Sequence, residues 1–119
     1  MYLTVEEILA ASDSGTMQVE CPEWGGTCFV RVLTADERDR WEMAISEGGK
    51  SVRATLVGVA LCDEQGKPLN PTPAQIQGLG QKASGPMDRL FDAVMTLNKM
   101  RKEDMEKLEG NSEPTAEPS

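Results

Sequence analysis

Apolar and polar positions alternate with a different period in each part of the chain. Val5, Ile8 and Leu9 fall at i, i+3 and i+4 behind Thr4 and Glu7. Those two residues are spaced so that each side chain can bond an amide left unpaired at a helix start. The pattern predicts a short amphipathic helix to about Ala11, ended by "SDSGT". Met17, Val19 and Cys21 then alternate with Gln18 and Glu20, and "TCFVRVL" follows after "PEWGG". Two strand-like runs joined by a segment ending in Gly-Gly predict a β-hairpin, because glycine supplies the positive φ such connections use. "TADE" repeats the capping pattern at Thr34 and Glu37 and opens a helix to about Ser46, with Trp41 and Ile45 one turn apart. The charges over Asp36–Arg40 read as a solvated first turn, acidic where the helix dipole favours it.

After "EGGK", the run "SVRATLVGVALC" is apolar at nearly every position. A buried strand over 52–62 and a helix both fit such a run. Its length and its Ala and Leu content favour a helix capped by Ser51, with Val52, Leu56 and Val59 on the inner face. "DEQGKPLNPTP" predicts a turn and an extended stretch, and Thr72, Pro73 and Gln75 start a short helix ending near Gly78 or Gly80. The strongest helical stripe is the last: Met87, Leu90, Phe91 and Val94, beginning near Ser84. Asn98, Arg101, Met105 and Leu108 continue that face, so it turns polar and resumes. The distal part from about Lys99 is expected to project as a partly free helix. From Glu109 the sequence "EGNSEPTAEPS" has no apolar period and reads as a disordered tail.

Composition narrows the chemistry. Apolar residues make up 39% of the 119 residues but aromatics only 4%, so the core is modest and built from Leu, Val, Ala and Met. A core of that kind tends to leave apolar surface for a partner or a second copy. Twelve basic against twenty acidic side chains give a net charge of −8. That balance opposes binding to nucleic acid or to an anionic membrane. No run reaches the ~20 apolar residues of a spanning helix, and "MYLTVEEILAA" lacks the basic start of a secretory signal. With no histidine, the commonest general base and the commonest zinc ligand are both missing. Cys21, Cys28 and Cys62 are odd in number and show no CxxC pair, so reduced cytosolic thiols are expected rather than a metal or redox centre. Asp63 and Glu64 beside Gly66 start like a calcium loop, but the later ligands are missing and a turn is expected. No enzyme, cofactor or metal site is expected.

Taken in order, the pieces carry more than any one of them. A capped helix at "VEEIL" leads into "VECPEWGGTCFVRVLTADERDRWE", then a run ending "LCDEQGKPL", then "GLGQKAS" and "MDRLFDAVMTLN". This succession, over roughly residues 3–100, resembles the tail assembly chaperones of long-tailed bacteriophages and their prophages. "PEWGG" through "LTADERD" and "CDEQGKPL" are its most specific parts. The resemblance implies a non-enzymatic protein of the host bacterial cytoplasm. Such a protein binds the tape measure protein and keeps it soluble while the tail tube polymerises around it, and is absent from the finished virion. It also implies self-association, with the tail tube protein as a further candidate partner. Many such chaperones are made in two lengths by a −1 ribosomal frameshift. Glu109-Gly110-Asn111 can be encoded GAG GGA AAC, which contains the slippery heptamer G GGA AAC. On this expectation the chain is the short product.

The fold expected is thus α+β: one mostly helical domain with a small N-terminal antiparallel hairpin. Residues 1–108 form the chaperone-like domain and 109–119 the disordered acidic, Pro- and Ser-rich tail. Chemistry, rather than a family motif, singles out Trp24, Trp41, Met105 and Leu108 as partner contacts. Trp24 stands equally between packing and recognition, because tryptophan is enriched at interaction hot spots. Two rival classes remain open on the residues alone: a structural tail or head–tail component, and an acidic DNA mimic.

Overall fold

The computed structural model describes residues 2–48 and 51–100. The candidate contacts Met105 and Leu108 and the tail 109–119 lie outside the described residues. In chain order the elements are helix α1 (Val5–Ala10), strand β1 (Thr16–Cys21), a 3-10 turn (Pro22–Trp24) and strand β2 (Gly26–Arg31). Helices α2 (Ala35–Ser46) and α3 (Val52–Ala60), strand β3 (Leu61–Cys62), and helices α4 (Pro73–Leu79) and α5 (Ser84–Leu97) follow.

The hairpin forms where its alternation places it. β1 and β2 are antiparallel, with Met17 opposite Val30, Val19 opposite Cys28 and Cys21 opposite Gly26. Val19 and Cys21 are buried while Thr16, Gln18 and Glu20 face out, as the period of two requires. Of the glycine pair only Gly25 takes a positive φ, at 79°, where it closes the 3-10 turn, and Gly26 already belongs to β2. The hairpin is, however, part of a larger sheet. β3 pairs with the other edge of β2, Leu61 opposite Val30 and Cys62 opposite Phe29, giving the order β1-β2-β3. A strand of two residues is too short to show alternation, which is why the pattern could not announce it. β2 is consequently the central strand, and its adjacent residues Val30 and Arg31 are both buried although they point to opposite faces.

The helices start at their predicted caps: Thr4, Thr34 and Thr72 each form a reciprocal capping box, and the Ser51 hydroxyl accepts from the Ala54 amide. The apolar run therefore forms helix over most of its length and strand only at its end. Its inner face differs from the expected one: Ala54, Leu56, Val57, Gly58 and Ala60 are buried, while Val52 and Val59 are half-buried. α3 packs on α5 and β2 from one side and on α2 and α4 from the other, so no single stripe describes it.

α4 packs closely over Gly58. A Cβ there would lie 2.9 Å from Ile76 Cγ1 and 3.5 Å from Pro71 Cγ. Gly58→Ala is expected to lower stability by about 1 kcal/mol net, because overpacking outweighs the gain in helix propensity. In a double-mutant cycle followed by thermal unfolding, Ile76→Ala should cost less when Gly58→Ala is already present. Independent, additive losses would refute the close contact.

The stripe of α5 is buried as expected at Met87, Leu90, Phe91 and Val94, with Pro86 and Met95 added. The helix ends at Leu97, and the projecting part expected beyond Lys99 lies outside the described residues except for Lys99 and Met100. Lys99 turns left-handed at φ 55°, its amide donates to Thr96 O at 3.2 Å, and the Met100 amide donates to Met95 O at 2.9 Å. This is the Schellman pattern, with Met100 buried as its apolar clasp. Asn98 secures the stop. Its Oδ1 accepts from the Leu33 amide at 2.8 Å, and its Nδ2 donates to Val94 O at 3.0 Å and to Arg31 O at 3.3 Å. A continuous helix through Lys99 is thereby excluded. Lysine in a left-handed position costs about 1 kcal/mol, so Lys99→Gly is expected to raise the unfolding midpoint slightly. A fall in that midpoint would contradict the observed stop.

Candidate interaction surfaces

The chain presents two surfaces suited to a partner, and both follow from local sequence. The first is α1. Thr4 Oγ1 accepts from the Glu7 amide at 3.2 Å and Glu7 Oε1 accepts from the Thr4 amide at 2.8 Å, so the capping box orders the start of the helix. Among the described residues none buries its apolar face or the apolar side chains that precede it. Tyr2, Leu3, Val5, Ile8 and Leu9 are 91%, 61%, 67%, 55% and 80% exposed. They make up most of the large apolar side chains exposed among the described residues, the others being Met43 and Leu69. Each large apolar side chain removed from water is worth about 1.5–3 kcal/mol, so this stripe is a strong driver of association. A helix of six residues is also far below the length that holds in water alone.

The second surface is a groove bounded by α2, α3 and α4. Its central part is a cavity of about 620 Å³ lined by Ala44, Ala54, Thr55, Pro73, Ile76 and neighbouring polar residues. It shares Ala44, Thr55 and Ile76 with a recess of about 260 Å³ towards Arg31, Arg40 and Trp41. Towards α5 it shares Ser51, Ala54 and Gly80 with a third, beside Arg53, Lys82 and Asp88.

One end of the groove is anchored by a buried ion pair. Arg31, 8% exposed, donates from Nη1 and Nη2 to the two carboxylate oxygens of Glu37 at 2.8 and 2.7 Å, and from Nη2 to Val59 O at 2.9 Å. Glu37 Oε1 also accepts from the Thr34 amide at 2.9 Å, so one carboxylate caps α2 and ties it to β2. The hydrogen bonds from Arg31 hold the Glu37 carboxyl at about 2, against the opposing effect of burial. At the other end, Lys82 Nζ stands 5.7 Å from the centre of the Trp24 ring, and Arg53 pairs with Asp88 at 2.7 Å.

The residues singled out from chemistry fare differently. Trp41, expected as a partner contact, is 2% exposed and sits in the core between α2 and its neighbours, so packing accounts for its position in this chain. One turn from Ile45 on an inner helical face, it had the spacing of a core residue, and only its size suggested recognition. Trp24 is half-buried against the same core and covered by Lys82, so packing accounts for its position. Its turn is tied to α5 by Arg89, which donates to the Glu23 carboxylate at 2.9 and 2.7 Å and to Glu20 O at 3.1 Å. Arg89 holds the Glu23 carboxyl at about 2. The structure thus brings Trp24 and the groove to neighbouring positions through Lys82, while Trp41 lies behind the groove floor. α1 was legible as an apolar stripe, but nothing in the pattern said that it would remain uncovered.

Cys21, Cys28 and Cys62 are free thiols. Burial, with the neighbouring Cys21, pushes the Cys28 thiol up to about 11, and burial also raises Cys62, so neither is a poised nucleophile. Among the described residues no three His, Cys, Asp or Glu side chains converge as metal ligands, and no helix is long and apolar enough to cross a membrane.

Among the described residues, five helices and a three-stranded antiparallel sheet, with the hairpin between the first two helices, define a small α+β fold. Among solved structures, that of the bacteriophage HK97 tail assembly chaperone shares it. The likeness covers 82% of this chain and 96% of that one, at a TM-score of 0.58 and 17% sequence identity. No protein-family model and no curated protein matches the chain. At that identity the likeness is one of fold, and it agrees with the family resemblance carried by the order of the sequence elements.

Proposed function

We propose that the chain is a phage tail assembly chaperone, which binds the tape measure protein and keeps it soluble while the tail tube polymerises around it. The observation that carries this reading is the likeness in fold, nearly end to end, to the HK97 tail assembly chaperone. The surfaces suit the task physically. An exposed apolar stripe and an apolar-floored groove can cover helical apolar segments, of a client or of a second copy, and the net charge of −8 keeps a coated complex dispersed. The carboxylates do not favour a DNA mimic: Glu7 and Glu37 serve caps, and Glu23, Glu42 and Asp88 are paired with arginine.

On this reading the chain acts without catalysis in the host cytoplasm, associates with copies of itself, and leaves before the virion is complete. The tail tube protein is its second candidate partner, and a frameshift at Glu109-Gly110-Asn111 yields a longer form. Co-expression with the neighbouring tape measure gene should raise the soluble fraction of that protein severalfold. Equal solubility with and without this chain sinks the proposal. Mass spectrometry of purified virions separates the chaperone from a structural tail component, since a chaperone is missing from them. Codons other than GAG GGA AAC at 109–111, with no slippery heptamer nearby, remove the frameshift.

A further inference from the structure

We propose that α1 of one copy docks in the groove between α2, α3 and α4 of a second copy, so that the chain assembles head to tail. This rests on the self-association included in the reading above and names the two surfaces that make it.

Three observations meet here. First, α1 needs cover. Its six residues are too few for a stable helix in water, and every residue from Tyr2 to Ser14 is exposed. Secondly, the groove has the matching shape. Six residues of helix span about 9 Å, and the 620 Å³ central cavity, floored by Ala44 and Ala54, lets a helix approach closely enough to insert Ile8 and Leu9. Thirdly, the charges are complementary. Residues 1–15 contain Glu6, Glu7 and Asp13 and no lysine or arginine, while Arg40 and Lys82 stand exposed along the groove, where Arg53 is already paired with Asp88, in a chain whose net charge is −8. The occupant is a second copy because α1 of the same chain stands clear of its own groove, with its whole apolar face in solvent.

The two surfaces are different, so the contact is heterologous and each added copy leaves one α1 and one groove unfilled at the ends. That property makes the proposal testable by complementation. In sedimentation velocity at tens of micromolar, the full chain is expected to sediment as a distribution above monomer, narrowing towards monomer in high salt. Ile8→Asp/Leu9→Asp alters only exposed side chains and is expected to weaken association about a hundredfold. Ala44→Glu puts a carboxylate in the groove and should do the same. Arg40→Glu, fully on the surface, guards against misfolding of that variant and is expected to weaken association about threefold to tenfold.

Mixing the α1 variant with the groove variant should restore a dimer that grows no further, because only one intact α1 and one intact groove remain. A full chain that stays monomeric, either variant assembling like the full chain, or a mixture that stays monomeric would each overturn the proposal. The co-expression result is read separately. Tape measure solubilised by a chain that stays monomeric overturns this contact and leaves the chaperone reading intact. Loss of solubilisation with assembly unchanged does the reverse.

Discussion

Arg31→Ala is expected to destabilise the domain by about 3–5 kcal/mol, the loss associated with breaking a buried ion pair from one side. The guanidinium is held by both oxygens of Glu37 and by Val59 O, and its removal leaves a half-buried carboxylate and a carbonyl without their donor. Three elements loosen together, because Arg31 ends β2, Glu37 opens α2 and Val59 lies near the end of α3. Glu37→Gln should cost less. Glutamine keeps one oxygen to accept from the Thr34 amide and Arg31 Nη1, while the charge and the second bond from Arg31 Nη2 are lost. Urea denaturation of the three proteins checks the order, and an Arg31→Ala loss below that of Glu37→Gln would refute the anchoring role.

The same pair sets an acid limit. The Glu37 carboxyl is held at about 2 in the folded chain, below the value of about 4.3 for a free glutamate. A depressed folded value contributes stability fully above the unfolded value, and that contribution is lost as the pH falls from there through about 2. Glu23 is also held at about 2, by Arg89, so the control is Glu37→Gln, which leaves Glu23 in place. The unfolding midpoint of the natural chain should fall more steeply between about pH 4.5 and 2 than that of the variant. Parallel curves would show that Arg31 does not favour the ionised form.

Trp41→Ala is expected to cost about 3–5 kcal/mol as well, by opening a cavity beneath the groove where the ring is 2% exposed. Trp41→Phe should be far milder. The indole Nε1 is buried with no hydrogen-bond partner, so phenylalanine removes an unsatisfied donor while losing part of the volume. Relief of about 1–3 kcal/mol against the cavity loss leaves an expected change within about 1.5 kcal/mol. Association and client binding of Trp41→Phe should match those of the natural chain. A selective binding defect in a stably folded Trp41→Phe would return this residue to the surface role that its size suggested.

Much of this fold is local and was readable as such. The capping boxes at Thr4, Thr34 and Thr72, the alternation of Met17, Val19 and Cys21, and the stripe from Met87 to Val94 specify their elements through contacts three or four residues away, or through side-chain direction alone. The order of those elements was enough to suggest the family, and the fold agrees.

Tertiary contacts decided the rest. β3 exists because β2 offers a second edge to Leu61 and Cys62, and pairing of Val30 with Leu61 and of Phe29 with Cys62, far apart in the chain, leaves no mark in a run of two. The end of α5 depends on Asn98 bonding Leu33, 65 residues away, and on Met100 being buried, whereas the periodicity alone would carry the helix on. Trp24 and Trp41 were both candidate contacts but differ in what surrounds them: one under Lys82 at the edge of the core, the other inside it. The apolar face of α1 has the same i, i+3, i+4 spacing as a core helix. Its exposure was decided by the body of the domain, whose core closes without it. Periodicity states which face of an element is apolar, and only the packed chain determines whether that face is covered from within or left for another molecule.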